Sequence, residues 1–391
     1  MNKTPNGERL HIGIFGLANA GKSTFLNILT GQDVSIVSDI AGTTADPVYK
    51  PMELHGIGAV VFIDTAGFKD NSGELEKLRR EKTDLTTEKV DIAIYLFSGI
   101  NFEDEKAQYS ILSKKVKNIL SVRGKSDIEN VEYDNKLKSF LKEPYISFSY
   151  KNPDRDKIFD AIRKILPTET KKTITGNLVK AKSKVVLVMP QDREAPEGRL
   201  ILPQAQTIRE LLDKDAVCVC ISPDNIETVL SLFVPDLVIT DSQVFKEVYD
   251  KIPHEIPLTS FSVLFAAYKG DSSYFKESLK AFEKIDDTSK ILIAEACTHP
   301  PIEEDIGRVK IPAMIKKKYG DKIRFDFVRG NDFPDDLTAY NLVIHCGACM
   351  FNRTHVINRL KKAKEQNVPM TNYGMVIAYM QNIIDKVVFP V

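Results

Sequence analysis

The sequence predicts an α/β protein in which parallel sheets recur along the chain. Three observations predict it. Short apolar runs at 10–15 (LHIGIF), 59–63 (AVVFI) and 92–97 (IAIYLF) are bounded by Gly, Asp or polar turns, with helical-looking segments between them. The same alternation resumes after residue 184 with 185–189, 216–222, 237–240, 290–296, 323–328 and 342–346 as strands. The chain has 391 residues, which at roughly 100–200 residues per domain gives two or three domains.

Composition narrows the class. Apolar residues make up 43% of the chain, enough for ordinary cores, and 54 basic residues balance 54 acidic ones. Bulk electrostatics therefore calls for no nucleic-acid or anionic-membrane partner. No stretch approaches the ~18–20 apolar residues of a membrane span. Met1 to Arg9 is polar and lacks the apolar core of a signal peptide, so a cytoplasmic location is expected. All five cysteines lie beyond residue 217, and an odd number in such a chain argues against a disulfide framework.

The first run, LHIGIF, leads into Gly16-Leu17-Ala18-Asn19-Ala20-Gly21-Lys22-Ser23 and then a helical pattern beginning at Thr24. This is GxxxxGKS in a strand–loop–helix context. Gly16 and Gly21 let the backbone curl so that its N–H groups, including that of Ala20, face a phosphate. Lys22 reaches the β/γ-phosphates and Ser23 holds Mg²⁺. The helix N-terminus adds positive potential.

Later motifs fit the same site. Gly42-Thr43-Thr44-Ala45-Asp46 reads as a segment that closes on Mg²⁺ through Thr44. Asp64-Thr65-Ala66-Gly67 ends the second run, placing Asp64 at the Mg²⁺ shell and the Gly67 N–H at the γ-phosphate. Lys125-Ser126-Asp127 offers a carboxylate to the guanine N1 and N2 donors, which selects GTP over ATP. Ser149-Tyr150-Lys151 backs the base.

GLANAGKS, GTTAD, DTAG, KSD and SYK, in this order, resemble the TrmE/Era group of translation-factor-like GTPases over residues 9–167. Gly124 stands where that group has Asn or Thr before the lysine, so a base contact is expected to be missing. Phe68 follows DTAG where Ras-like proteins have a water-orienting glutamine. In similar GTPases an asparagine at the position of Asn19 accompanies a K⁺ ion beside the phosphates, which takes the place of an arginine finger.

Residues 167–184 are polar and lysine-rich and read as a linker or exchanged arm. Beyond it, helical patterns fall at 207–214, 226–232, 273–285, 311–318 and 354–366, and the loop-rich stretch 241–271 offers a boundary. The expected domains are 1–170, 171–262 and 263–391.

A second constellation is Cys297-Thr298-His299 and His345-Cys346-Gly347-Ala348-Cys349. Each half follows a predicted strand, so both lie where α/β sheets place ligands. Cys346 and Cys349 are spaced to bind one metal centre across a turn. Three thiolates suit an iron–sulfur cluster or zinc. Cys218 and Cys220 lie on another strand and read as buried small hydrophobes. The fourth position is open, or held by His299, His345 or a carboxylate.

With C-x-H, 45 intervening residues and H-C-x-x-C, nearly the whole chain resembles the HydF family of [FeFe]-hydrogenase maturation GTPases. The resemblance implies a GTPase domain, an α/β dimerisation domain and an α/β [4Fe–4S] cluster-binding domain. It implies Cys297, Cys346 and Cys349 as cluster ligands, with His299 and His345 near them. It also implies a homodimer that receives a diiron precursor from the radical-SAM maturases HydE and HydG and delivers it to the apo-hydrogenase. Two other readings stay open from the residues: an RNA-acting GTPase, which needs a basic module in 170–391 that is not seen, and a GTPase with a structural zinc site.

Overall fold

The structure is a computed structural model that describes residues 5–31, 47–65, 83–141, 144–166, 172–191, 198, 200–296 and 305–390. The chain divides into two compact units, Met1–Glu169 and Thr170–Val391.

The first unit is built on β1 (Leu10–Phe15), β2 (Val48–Leu54), β3 (Gly58–Asp64), β4 (Ile92–Phe97), β5 (Ile119–Arg123) and β6 (Ile146–Ser147). Their order is β2-β3-β1-β4-β5-β6, with β2 antiparallel to β3 and every other pair parallel. All six residues of β4 are buried, as expected of a central parallel strand covered on both faces. β2 has no apolar run and carries Pro51. It forms because it is an edge strand, where a missing N–H is tolerated. Helix Lys22–Thr30 starts directly after β1 and its loop. Helices Phe102–Lys115 and Arg155–Lys164 are capped by the side chains of Asn101 and Asp154, which satisfy N–H groups the helix leaves unpaired.

The second unit holds two four-stranded parallel sheets. One comprises β7 (Lys184–Val188), β8 (Val217–Ile221), β9 (Leu237–Thr240) and β10 (Leu258–Ser260), in the order β10-β9-β7-β8. The other comprises β11 (Lys290–Glu295), β12 (Arg324–Arg329), β13 (Leu342–His345) and β14 (Met370–Asn372), in the order β12-β11-β13-β14. One hydrophobic core runs through both, joining Val186 and Val238 to Ile293 and Ile344.

Three expectations change here. The stretch 241–271 is not loop-rich: it contains helices Phe245–Lys251 and Phe261–Lys269 around β10. Phe261–Lys269, like Tyr373–Met380, is apolar on nearly all sides because it is buried, so no helical period shows. The arm at 172–183 is packed. Ile174 and Val179 are buried, and the Glu210 carboxylate accepts from the Thr175 N–H at 2.8 Å and its hydroxyl at 2.7 Å. Cys218 and Cys220 are not buried: β8 is an open sheet edge, leaving Cys218 half-buried and Cys220 exposed.

Candidate functional site

In the first unit β1 delivers the glycine loop to the C-terminal edge of the sheet, where ligands of α/β folds bind. Gly16 has φ 151°, and a Cβ there would stand 2.7 Å from the Leu96 carbonyl oxygen, so only glycine fits. Asn19 adopts a left-handed φ of 62°, which asparagine tolerates. Ala20 is buried beneath the loop. Ser23 and Thr24 are exposed at the first turn of helix Lys22–Thr30.

Lys22 is buried, and its ammonium donates to the carbonyls of Gly16 (3.1 Å) and Leu17 (2.9 Å). Burial pulls its pKa down to about 8, against the opposing pull of Asp64. Asp64, at the end of β3, accepts from the Ser23 hydroxyl at 2.5 Å through Oδ2. Its Oδ1 is buried with no partner among the described residues. Burial pushes its pKa up, partly offset by Ser23, Lys22 and Lys50. An exposed hydroxyl beside a carboxylate with an unused oxygen is a donor set that suits Mg²⁺.

The second wall comes from two loops. Lys125, in a left-handed conformation, donates from Nζ to the Asn19 carbonyl at 3.0 Å. Asp127 Oδ1 accepts from the Tyr150 N–H at 3.4 Å, and Ser149 Oγ accepts from the N–H groups of Lys151 and Asn152, both at 3.2 Å. These bonds hold the KSD and SYK turns beside the phosphate loop. The Tyr150 hydroxyl does more than back a base. It donates to the Gly21 carbonyl at 3.3 Å, and a Cβ added at Gly124 would lie 3.1 Å from that oxygen. The tyrosine thus fills the space that the missing side chain at 124 leaves. The only sequence signal was the pairing of a small residue at 124 with a large one at 150. Thr44 and Gly67 lie outside the described residues, as does Phe68.

In the second unit Cys346 follows β13 directly. Its sulfur accepts the backbone N–H of Ala296 at 3.0 Å and of Ala348 at 3.4 Å. Burial pushes the thiol up to about 11, with the nearby Cys349 adding and the two N–H groups opposing. A half-buried cysteine whose sulfur accepts two backbone N–H groups fits a metal-bound thiolate, whose charge those donors stabilise. Cys349 is three residues on, and Ala348 between them has φ 52°. Cys297 and His299 lie outside the described residues. Among the described residues no group of three or more His, Cys, Asp or Glu converges to hold a metal ion.

His345 is buried at the end of β13, and both ring nitrogens are engaged. Arg359 Nη1 lies 2.9 Å from Nε2, and Nδ1 lies 2.8 Å from the Cys346 carbonyl oxygen. A guanidinium only donates, so Nε2 accepts and the proton sits on Nδ1. Burial, with Arg359 beside it, pulls its pKa down to about 3. The loop has a support that the sequence reading missed. Lys269, buried at the end of helix Phe261–Lys269, donates to the carbonyls of Ala348 (3.0 Å), Cys349 (3.2 Å) and Phe351 (2.6 Å). A lysine closing the apolar run SFSVLFAAYK was its sequence signal.

The glycine loop, the Ser23–Asp64 pair and the sheet order define the first unit as a P-loop GTPase domain, and residues 11–131 match the family model "50S ribosome-binding GTPase". Residues 174–270 match the "Hydrogen maturase F dimerization domain" and residues 273–390 the "Hydrogen maturase F tetramerization domain". These two models together span more than half of the chain, which belongs to the hydrogen maturase F family.

Relatives of the first unit include the tRNA modification GTPase MnmE of Aliarcobacter butzleri, 36% identical over 138 residues, covering 34% of this chain and 31% of that protein. GTPase Der of Wolinella succinogenes is 35% identical over 148 residues, covering 37% of this chain and 30% of that protein. The chain thus spans about a third of the length of these curated relatives. Among solved structures, a single-substitution variant of Aquifex aeolicus Era bound to GDP·AlF4⁻ is similar at 18% identity and a TM-score of 0.36, covering 61% of this chain and 97% of that one.

Proposed function

We propose that this chain binds and hydrolyses GTP in its first unit and carries a [4Fe–4S] cluster in its second. Together they make a scaffold that holds the diiron precursor of the [FeFe]-hydrogenase active site and delivers it to the apo-hydrogenase. The observation that carries the cluster reading is the sulfur of the half-buried Cys346, set at a strand end and accepting two backbone N–H groups in a chain of the hydrogen maturase F family.

In the GTP site, Lys22 binds the β/γ-phosphates, and Ser23, Thr44 and Asp64 hold Mg²⁺, which neutralises charge on the phosphates. Gly67 contributes its N–H to the γ-phosphate, Asp127 selects guanine, and Asn19 supports a K⁺ ion that raises turnover. Cys297, Cys346 and Cys349 hold the cluster, which supplies an iron open to ligand exchange. His345, with both nitrogens committed, positions Cys346 rather than ligating; His299 stays a candidate ligand. The chain works as a homodimer or higher assembly in the cytoplasm, with HydE and HydG as the maturases that load it. Among the described residues no helix is long and apolar enough to cross a membrane.

Anaerobic iron and sulfide analysis with EPR of the reduced, reconstituted protein tests this. About four irons per chain, with a [4Fe–4S] signal perturbed by small exogenous ligands, supports the scaffold. Zinc alone, or no metal, overturns it and leaves a GTPase whose second unit serves another purpose.

A further inference from the structure

β8 carries a second pair of cysteines, Cys218 half-buried and Cys220 exposed. Cys218 and Cys220 are two residues apart on one strand, so their side chains leave the same face of the sheet. Their sulfurs lie 3.9 Å apart. The alternate residues Val219 and Ile221 pack against the core of the second unit, fixing the face on which the thiols stand. Cys218 rests against the cluster that contains Leu187 and Leu211, while Cys220 reaches solvent at the open sheet edge.

The separation decides what the pair can do. Two thiolates on one tetrahedral metal, each about 2.3 Å from it, stand about 3.8 Å apart. The 3.9 Å found here matches that bite without rearrangement. A disulfide needs the sulfurs at about 2.05 Å and prefers Cα atoms closer than about 6.8 Å. A strand rising about 3.3 Å per residue holds alternate Cα atoms about 6.6 Å apart, at the far limit.

We propose that Cys218 and Cys220 form a two-thiolate chelate for one soft metal ion of the Zn²⁺, Cd²⁺ or Cu⁺ class, separate from the Cys346 loop. The contact with Cys218 holds the Cys220 thiol below its ordinary range, which favours a thiolate at that sulfur. The ion displaces the remaining proton, and both sulfur–metal bonds form with no change in oxidation state. Among the described residues no third His, Cys, Asp or Glu joins the pair, so with Cys220 exposed the ion's other positions are filled by water or an external thiol.

Cd²⁺ added to the reduced, metal-free full-length chain tests this, read by the ultraviolet thiolate-to-metal charge-transfer band and by alkylation mapping of each cysteine. One equivalent is expected to protect Cys218 and Cys220 together from alkylation, in the wild-type chain and in C346S/C349S. C218S/C220S should lose that equivalent, and C220S alone should weaken it by at least about tenfold, since even outer partners of a metal ligand are worth that much. Undiminished alkylation of both cysteines at saturating Cd²⁺ overturns the proposal. So does an unchanged equivalent in C218S/C220S, or a Cys218–Cys220 disulfide as the resting state.

Discussion

Tyr150→Phe isolates one hydroxyl at the nucleotide site. The ring stays packed edge-on against Phe148, at a centroid separation of 5.7 Å, so the substitution removes the bond to Gly21 and little else. A buried neutral hydrogen bond contributes about 0.5–1.5 kcal/mol net. The Gly21 carbonyl still accepts the Phe25 N–H at 2.8 Å, so it is not orphaned and the cost falls in the lower part of that range. About 0.5–1 kcal/mol corresponds to roughly a two- to fivefold rise in Kd. The assay is titration with a fluorescent guanine nucleotide, run beside its adenine counterpart. The guanine Kd should rise in that range, because the hydroxyl ties the base-side loop to the phosphate loop across the gap at Gly124. A lower melting temperature with unchanged Kd would refute the reasoning and reduce Tyr150 to a packing residue.

Further outcomes follow from the two sites. Lys22→Ala should abolish GTP hydrolysis while iron content is unchanged, and Cys346→Ser should do the reverse; loss of both properties from either still-folded variant would show that the sites are not separable. Turnover should be higher in K⁺ than in Na⁺ at equal ionic strength, and equal rates would remove the role given to Asn19. Lys269→Met deletes three bonds from a buried ammonium to the cysteine loop. It should cost about 3 kcal/mol of stability, seen in denaturant unfolding, and lower cluster retention. His345→Gln should keep the cluster's EPR type if the histidine only positions the loop, whereas a changed signal would make it a ligand.

Much of this protein was legible from its sequence because the informative features are local. A glycine loop between an apolar strand and a helix needs no distant partner to be recognised, and the phosphate-site strands carry continuous apolar runs because both faces are covered. Cys346 follows β13 as its apolar run implies. What escaped was what packing decides. β2 and β5 were missed because Pro51 and Ser121 interrupt their apolar patterns and β5 ends on the buried Arg123, which is tolerated because Asp134 accepts from it at 2.9 Å. Helices Phe261–Lys269 and Tyr373–Met380 lack a polar face because they are enclosed. The identity of residues 218 and 220 said "small and apolar", but burial is a property of strand order, and β8 lies at the edge of its sheet. Likewise Tyr150, Lys269 and Arg359 act across 129, 79–82 and 14 residues of chain. The order of residues sets the chemistry available at each site. Which groups are buried, which are paired and which remain open is settled in three dimensions, because those outcomes depend on contacts between segments that no local pattern encodes.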